Sequence, residues 1–293
     1  MMTRIVVLIA FFALFQVSCA GHKVTTPTNI PASEENNGAE TPAEETPEVP
    51  DNPAVTPTPA PTPAATPTPL PTPASNELLD IFHQWKTHYK VSEPYTKVTD
   101  NNGKGFEDLY GTRNFRAVLH GVYYRGGANN KYHRDNPRDN MNPLPSDGLK
   151  NLCEEGFSTA IYYYATNYSG APKATNCGSG SDKHSLNYKQ VTALTSANHK
   201  TILQLIHDRI KGKLPGPIYG HCWNGWHASG LIAAISLRQF CDWTPTEARN
   251  YWRKNTDGNT SGYEKVEAMV VDFKPISSLK ISAAEQAVIC PSK

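Results

Sequence analysis

The sequence has no apolar run long enough to span a bilayer. The longest, Ile5–Val17, covers 13 residues, against the roughly 20 that a transmembrane helix needs. No Cys-x2-Cys pair occurs and the histidines are scattered, so no zinc ligand set is visible and no metal or cofactor is expected. Runs of lysine or arginine are missing, which excludes an obvious nucleic-acid-binding surface. No heptad pattern and no repeat outside a proline-rich segment is present, so nothing drives oligomerisation and a monomer is expected.

What is present is unevenly spread. Formal net charge is +1. Seven of the 27 acidic side chains precede residue 76, against two of the 28 basic ones, leaving 26 basic and 20 acidic side chains after it. Nine of the ten histidines also lie there. A mildly basic domain favours an anionic ligand.

Residues 1–19 have a short positive head, Met1-Met2-Thr3-Arg4, and an apolar h-region, as in an export signal. The run ends Val17-Ser18-Cys19-Ala20, which resembles the lipobox of bacterial lipoproteins, with Gln16 in place of the usual Leu. That resemblance implies lipidation of Cys19, and Ala20 after the cysteine implies a Gram-negative outer membrane, with the domain facing periplasm or cell surface. Membrane contact is expected through the lipid anchor only. Residues 20–75 are Thr, Pro, Ala and Glu, with the quasi-repeat Thr56 to Pro63 and its echo Thr66 to Pro73. Proline fixes φ and removes donors, so an extended tether is expected, reaching at most ~170 Å at ~3.1 Å per residue. Residues 76–293 form the domain, enough for one core.

The stretch around which that domain is organised is Gly220-His221-Cys222-Trp223-Asn224-Gly225-Trp226-His227-Ala228-Ser229-Gly230. Pro217-Ile218-Tyr219 leads in as a strand, and an apolar run from Leu231 to Leu237 leads out as a buried helix. A helix N-terminus carries partial positive charge and unpaired amides, so a loop converging there forms an anion nest. Gly225 and Gly230 permit a tight bend. The same field favours thiolate over thiol, which makes Cys222 a candidate nucleophile.

His221-Cys222-x-x-Gly225-x-x-Ala228-Ser229-Gly230 resembles the His-Cys-x5-Arg-Ser/Thr loop of the cysteine-dependent protein tyrosine and dual-specificity phosphatases. The family's Arg is Ala228 here. The resemblance covers roughly Phe115 to Trp252 and implies an α/β three-layer domain with a central, mainly parallel sheet flanked by helices. It implies ligand contacts from His221, Trp223, Asn224, Gly225, Trp226, His227, Ala228 and Gly230, and a role for Ser229 in losing the thiophosphate. Tyr123-Tyr124-Arg125-Gly126-Gly127 resembles the family's Tyr-Arg-Ser/Gly strand end, placing Arg125 near the loop or bracing it. The family's general acid is an Asp on a mobile loop; no carboxylate lies between Val191 and Ala197, and Asp182 is the nearest upstream candidate.

The guanidinium clamps phosphate through a fork that Lys or His does not copy. Its loss removes roughly 10²–10³ in rate, and loss of the acid another ~10²–10⁴. The preferred reading is therefore a phosphatase-like domain that binds a phosphorylated or anionic small molecule, or a phosphoprotein, with absent or weak turnover. A divergent active phosphatase is the alternative, acting on phosphotyrosine, a phosphosugar or an inositol phosphate through a cysteinyl-phosphate. There His227, Lys183 or Arg125 would stand in for Arg. A third reading is acyl transfer by Cys222 with His184 or His221 as base.

Four cysteines remain: Cys153, Cys177, Cys241 and Cys290. An even set in an exported protein implies disulfides. Three pairings are open; pairing each cysteine with its nearer neighbour, Cys153–Cys177 and Cys241–Cys290, is preferred.

Local patterns give the remaining elements. Leu78 to Trp85, Ser146 to Gly156 and Asn198 to Lys213 read as helices, as do Thr244 to Lys254, Glu264 to Phe273 and Ser282 to Val288. Asn114 to Val118, Gly121 to Arg125, Phe157 to Ala165 and Leu186 to Leu194 read as strands. Gly126-Gly127 reads as a strand break, and residues 166–184 and 255–262 as loop and turn.

Overall fold

Alternate residues along the central strands divide between two apolar clusters, and that alternation makes the layers. Tyr123, Ile161, Tyr163 and Ile218 join one cluster; Tyr124, Ala160, Tyr162 and Tyr219 join the other. The computed structural model describes residues 75–293. The export signal, Cys19 and the proline-rich tether lie outside the described residues.

Six strands form one sheet: β1 (Thr112–Leu119), β2 (Tyr123–Ala128), β3 (Thr159–Tyr162), β4 (Ala174–Cys177), β5 (His184–Gln190) and β6 (Ile218–Cys222). Their order is β1-β2-β6-β3-β5-β4. The four inner strands run parallel, and β1 and β4 close the edges antiparallel. The helices are α1 (Asn76–His88), α2 (Ser146–Glu154), α3 (His199–Ile210), α4 (His227–Phe240), α5 (Pro245–Lys254), α6 (Glu264–Asp272) and α7 (Ala283–Ile289). α4 is buried along its whole length, against β2 and β6 on one side and α5 and α6 on the other. α2 covers the opposite face near β4 and β5. The domain is therefore an α/β fold with a mixed, mainly parallel sheet between helical layers. No described helix is long and apolar enough to cross a membrane.

Thr244 and Glu247 form the capping box, with Pro245 in the first turn of α5, as their spacing predicts. Cys153 pairs with Cys177, and Cys241 with Cys290. The first bridge ties α2 to β4, a strand with little apolar alternation that the sequence reads as loop. The second joins the residues following α4 and α7.

Two expectations change. Gly126-Gly127 does not break β2, which runs on to Ala128. α4 starts at His227, four residues ahead of the apolar run from Leu231, so Ala228 and Ser229 belong to its first turn.

Candidate functional site

β6 ends on Cys222, and α4 begins five residues later. The loop between them rests on β2. A Cβ on Gly127 would lie 2.5 Å from Trp223 O and 2.6 Å from Gly225 N; one on Gly225 (φ +75°) would lie 2.6 Å from Gly126 C. The glycine pair is thus a saddle that lets two backbones touch.

The loop's carbonyls are all tied. Cys222 O accepts from His221 Nδ1 (3.2 Å), Trp223 O from Ala128 N (3.1 Å) and Asn224 O from Asn114 Nδ2 (3.1 Å). Gly225 O accepts from Arg125 Nη1, Trp226 O from Gly230 N (3.0 Å) and His227 O from Trp252 Nε1 (3.2 Å). None of the backbone amides from Trp223 to Ser229 has an acceptor among the described residues. A trans peptide points its N–H opposite to its C=O. Carbonyls held against the scaffold therefore leave a run of donors for something else.

Cys222 is a free thiol, 2% exposed, with Sγ 3.4 Å from Ser229 Oγ. A cleft of about 360 Å³ opens on it, lined by Trp223, Asn224, Trp226 and His227 from the loop. Tyr164, two residues past β3, and Gly258, Asn259, Ser261 and Tyr263 complete it. Gly258, Asn259 and Ser261 come from the stretch read as a turn, and Tyr263 directly follows it; that polar, glycine-bearing composition gives no sign of the cleft. No lysine, arginine, aspartate or glutamate lines it.

The expected residues divide. Trp223, Asn224, Trp226 and His227 reach the cleft. Gly230 packs instead on Trp252, and Ala228, in the first turn of α4, is buried in the core. Arg125 braces the loop from below: its Nη2 also reaches Asn255 O (3.5 Å), and the side chain is fully buried. His227 donates Nε2–H to Asn259 O and stacks on Tyr263 at 3.3 Å. Burial lowers its pKa, so it is neutral near pH 7 and supplies no charge in place of Arg.

His221 is no base for Cys222. It donates from Nδ1 to Cys222 O, accepts from Tyr188 OH (2.7 Å) and stacks on Tyr162 and Tyr219. His184 and Asp182 lie elsewhere. Ile218 is level with Thr159, and Thr159 with Asn187. His184 is therefore four residues down β6 and three further down β5 from Cys222, ~23 Å at ~3.3 Å per residue. Asp182 and Lys183 lie beyond it, at the wrong end of a parallel sheet. His184 is held by Asp182 O and Cys153 O.

A carboxylate that sequence reading missed, Asp257, is hydrogen-bonded to the loop. It accepts from Trp226 Nε1 (3.1 Å) and Lys97 Nζ (2.9 Å), with Arg116 at 3.6 Å. Burial pushes its pKa up, but hydrogen bonds from Lys97 and Asn101 and the charges of Lys97 and Arg116 outweigh that and hold it below the usual range. It stays ionised and fastens the loop rather than offering a proton.

Among the described residues, two groupings have metal-ligand residue types. Cys153, Cys177 and His184 fail because both sulfurs are in a disulfide. His133, Asp135 and Asp147 fail on the tautomer: His133 Nδ1 accepts from Asn136 N, so Nε2 carries the proton it gives Asp147 (2.7 Å).

Burial lowers the pKa of His221 from 6.5 to about 3, and that of His120 to about 4. In the unfolded chain both protonate near 6.5; in the folded chain they resist. The unfolded state then binds more protons as pH falls from about 6.5 towards 4, so stability falls over that window. We expect thermal unfolding to shift downward from pH 7 to pH 4, and less so in His120→Gln. A flat profile between these limits would show that the histidines are not buried in neutral form.

No protein-family model matches the sequence, and a search of curated proteins returned no match. Among solved structures, Pseudomonas aeruginosa TpbA matches at 15% identity and TM-score 0.36, over 55% of this chain and 85% of that one. A TpbA variant in complex with phosphotyrosine matches at 14% and 0.35, over 57% and 86%. PTPN18, solved in the context of HER2 tyrosine phosphorylation sites, matches at 12% and 0.35, over 67% and 92%. None of these scores establishes kinship.

Proposed function

We propose that this chain binds a phosphorylated or other anionic ligand at the Cys222 loop, with weak or no phosphatase turnover. The observation that carries the reading is the run of unaccepted amides from Trp223 to Ser229 at the start of a fully buried helix, with a free thiol beside them. Amides so placed stabilise a tetrahedral oxyanion. The cleft's lining favours binding over turnover, since it contains neither a guanidinium nor a carboxylate. Acyl transfer is disfavoured because the two histidines considered for it are committed elsewhere.

Trp223 and Trp226 line the cleft and supply the readout. Orthophosphate or vanadate should change tryptophan fluorescence saturably in the wild type. Hydrolysis of a small aryl phosphate should be slow, and Cys222→Ser should abolish it. An unchanged spectrum up to tens of millimolar orthophosphate would sink the reading. Efficient turnover abolished by Cys222→Ser would replace it with an active phosphatase.

The same proposal places the domain outside the cytoplasm, tethered by a lipid on Cys19. Two disulfides support an oxidising compartment. Cys19→Ala should release the protein from membranes and remove the acyl mass from its N-terminus.

A further inference from the structure

Arg113 on β1 is buried, 4% exposed, yet has no carboxylate at ion-pair distance among the described residues. The other buried guanidiniums are engaged differently. Arg116 has Asp257, Arg125 holds two backbone carbonyls, Arg209 holds Gly121 O and Leu214 O, and Arg238 holds Val270 O and Val271 O. Arg113 makes one side-chain hydrogen bond, Nη1 to Asn224 Oδ1 at 3.3 Å, its guanidinium lies 5.2 Å from the centre of the Tyr132 ring, and its Nε has no partner. A buried cation without a counter-charge is costly, and such a cost points to a site that is completed by a ligand.

The sheet register says which site. Arg113 pairs with Gly127, and Gly127 with Cys222, so the three stand on one row. Gly127 has no side chain, and the loop backbone lies where its Cβ would be. Backbone of Trp223, Asn224 and Gly225 therefore lies over Gly127, the middle residue of that row.

Asn224 links Arg113 to the cleft it helps to line. Its Oδ1 accepts from Arg113 and also from Asn140 Nδ2 at 3.1 Å. Asn140 is oriented by its own Oδ1, which accepts from Lys131 N. With both donors on Oδ1, the Nδ2 branch of Asn224 is left without a partner among the described residues. We propose that Arg113 is a positioning residue for the bound anion: acting from β1 through Asn224, it supplies the positive charge that the loop lacks at Ala228. The inference rests on reading the loop as an anion site.

The test is a fluorescence titration with orthophosphate, beside thermal unfolding of each variant. Arg113→Met should weaken binding at least tenfold and leave the melting temperature unchanged or raised, because a buried unpaired charge has been removed. Arg113→Lys should recover part of the affinity. Asn224→Ala, at a half-exposed side chain, should weaken binding without unfolding the protein. Affinity within twofold of wild type in Arg113→Met and Asn224→Ala would overturn the assignment while leaving the anion site intact. Affinity lost in step with melting temperature, with no recovery in Arg113→Lys, would make Arg113 merely structural. Absence of binding in the wild type would instead overturn the anion site, and this role with it.

Discussion

Ala228→Arg should raise hydrolysis of a small aryl phosphate by roughly 10²–10³. One preorganised donor to a transition-state oxyanion is worth about that factor, and a guanidinium offers two in a fixed fork. Ala228 lies in the first turn of α4, next to Ser229, whose Oγ is 3.4 Å from Cys222 Sγ; its own side chain is fully buried, so the gain requires the longer arginine to carry its guanidinium out of the core into the cleft. An aryl oxide leaves without much help from an acid, so the absence of a carboxylate from the cleft does not mask the gain. An alkyl phosphate should remain slower by a further ~10²–10⁴, because its alkoxide needs protonation. The measurement is initial rate on both esters, with Cys222→Ser in the same background as control. A folded Ala228→Arg protein with no gain on the aryl ester would mean that the loop's donors are not arranged around a transferable phosphoryl group.

How much of this was visible beforehand follows from the range of each interaction. The strand, loop and helix around Cys222 were legible because their signals are local: an apolar run, two glycines and a second apolar run. The α5 cap was legible for the same reason, its partners being three residues apart. Cysteine pairing by proximity matched the bridges found, separated by 24 and 49 residues. β4 was not legible: its burial is slight, and what holds it is the bridge and its pairing with β5. Asp182 was chosen by distance along the chain, whereas parallel pairing of β3 and β5 sends it to the far end of the sheet. Arg113 is 109 residues before Cys222, and nothing local in sequence puts them on one row. His227 was weighed as a cation; its charge depends on burial and on Asn259, neither of which a motif conveys.

Gly127→Ala should cost about 3 kcal/mol, combining overpacking of ~1–3 kcal/mol with loss of a backbone hydrogen bond worth ~1 kcal/mol. For a domain of this size that is a fall of roughly 6–12 °C in melting temperature. The added methyl would meet Trp223 O at 2.5 Å, Asn224 C at 2.6 Å and Gly225 N at 2.6 Å, all backbone atoms. Backbone has no rotamer to escape into, so the loop must rise and release the Ala128 N to Trp223 O contact. Cys222, now 2% exposed, should then react with a thiol reagent more than tenfold faster. Gly170→Ala is the control, since a Cβ there meets nothing within 4 Å. Equal melting temperatures and equal thiol reactivity in the two variants would show that the loop does not rest on β2. If both change only in Gly127→Ala, the same contact that shields the sulfur also fixes the amides, and anion affinity should fall with it.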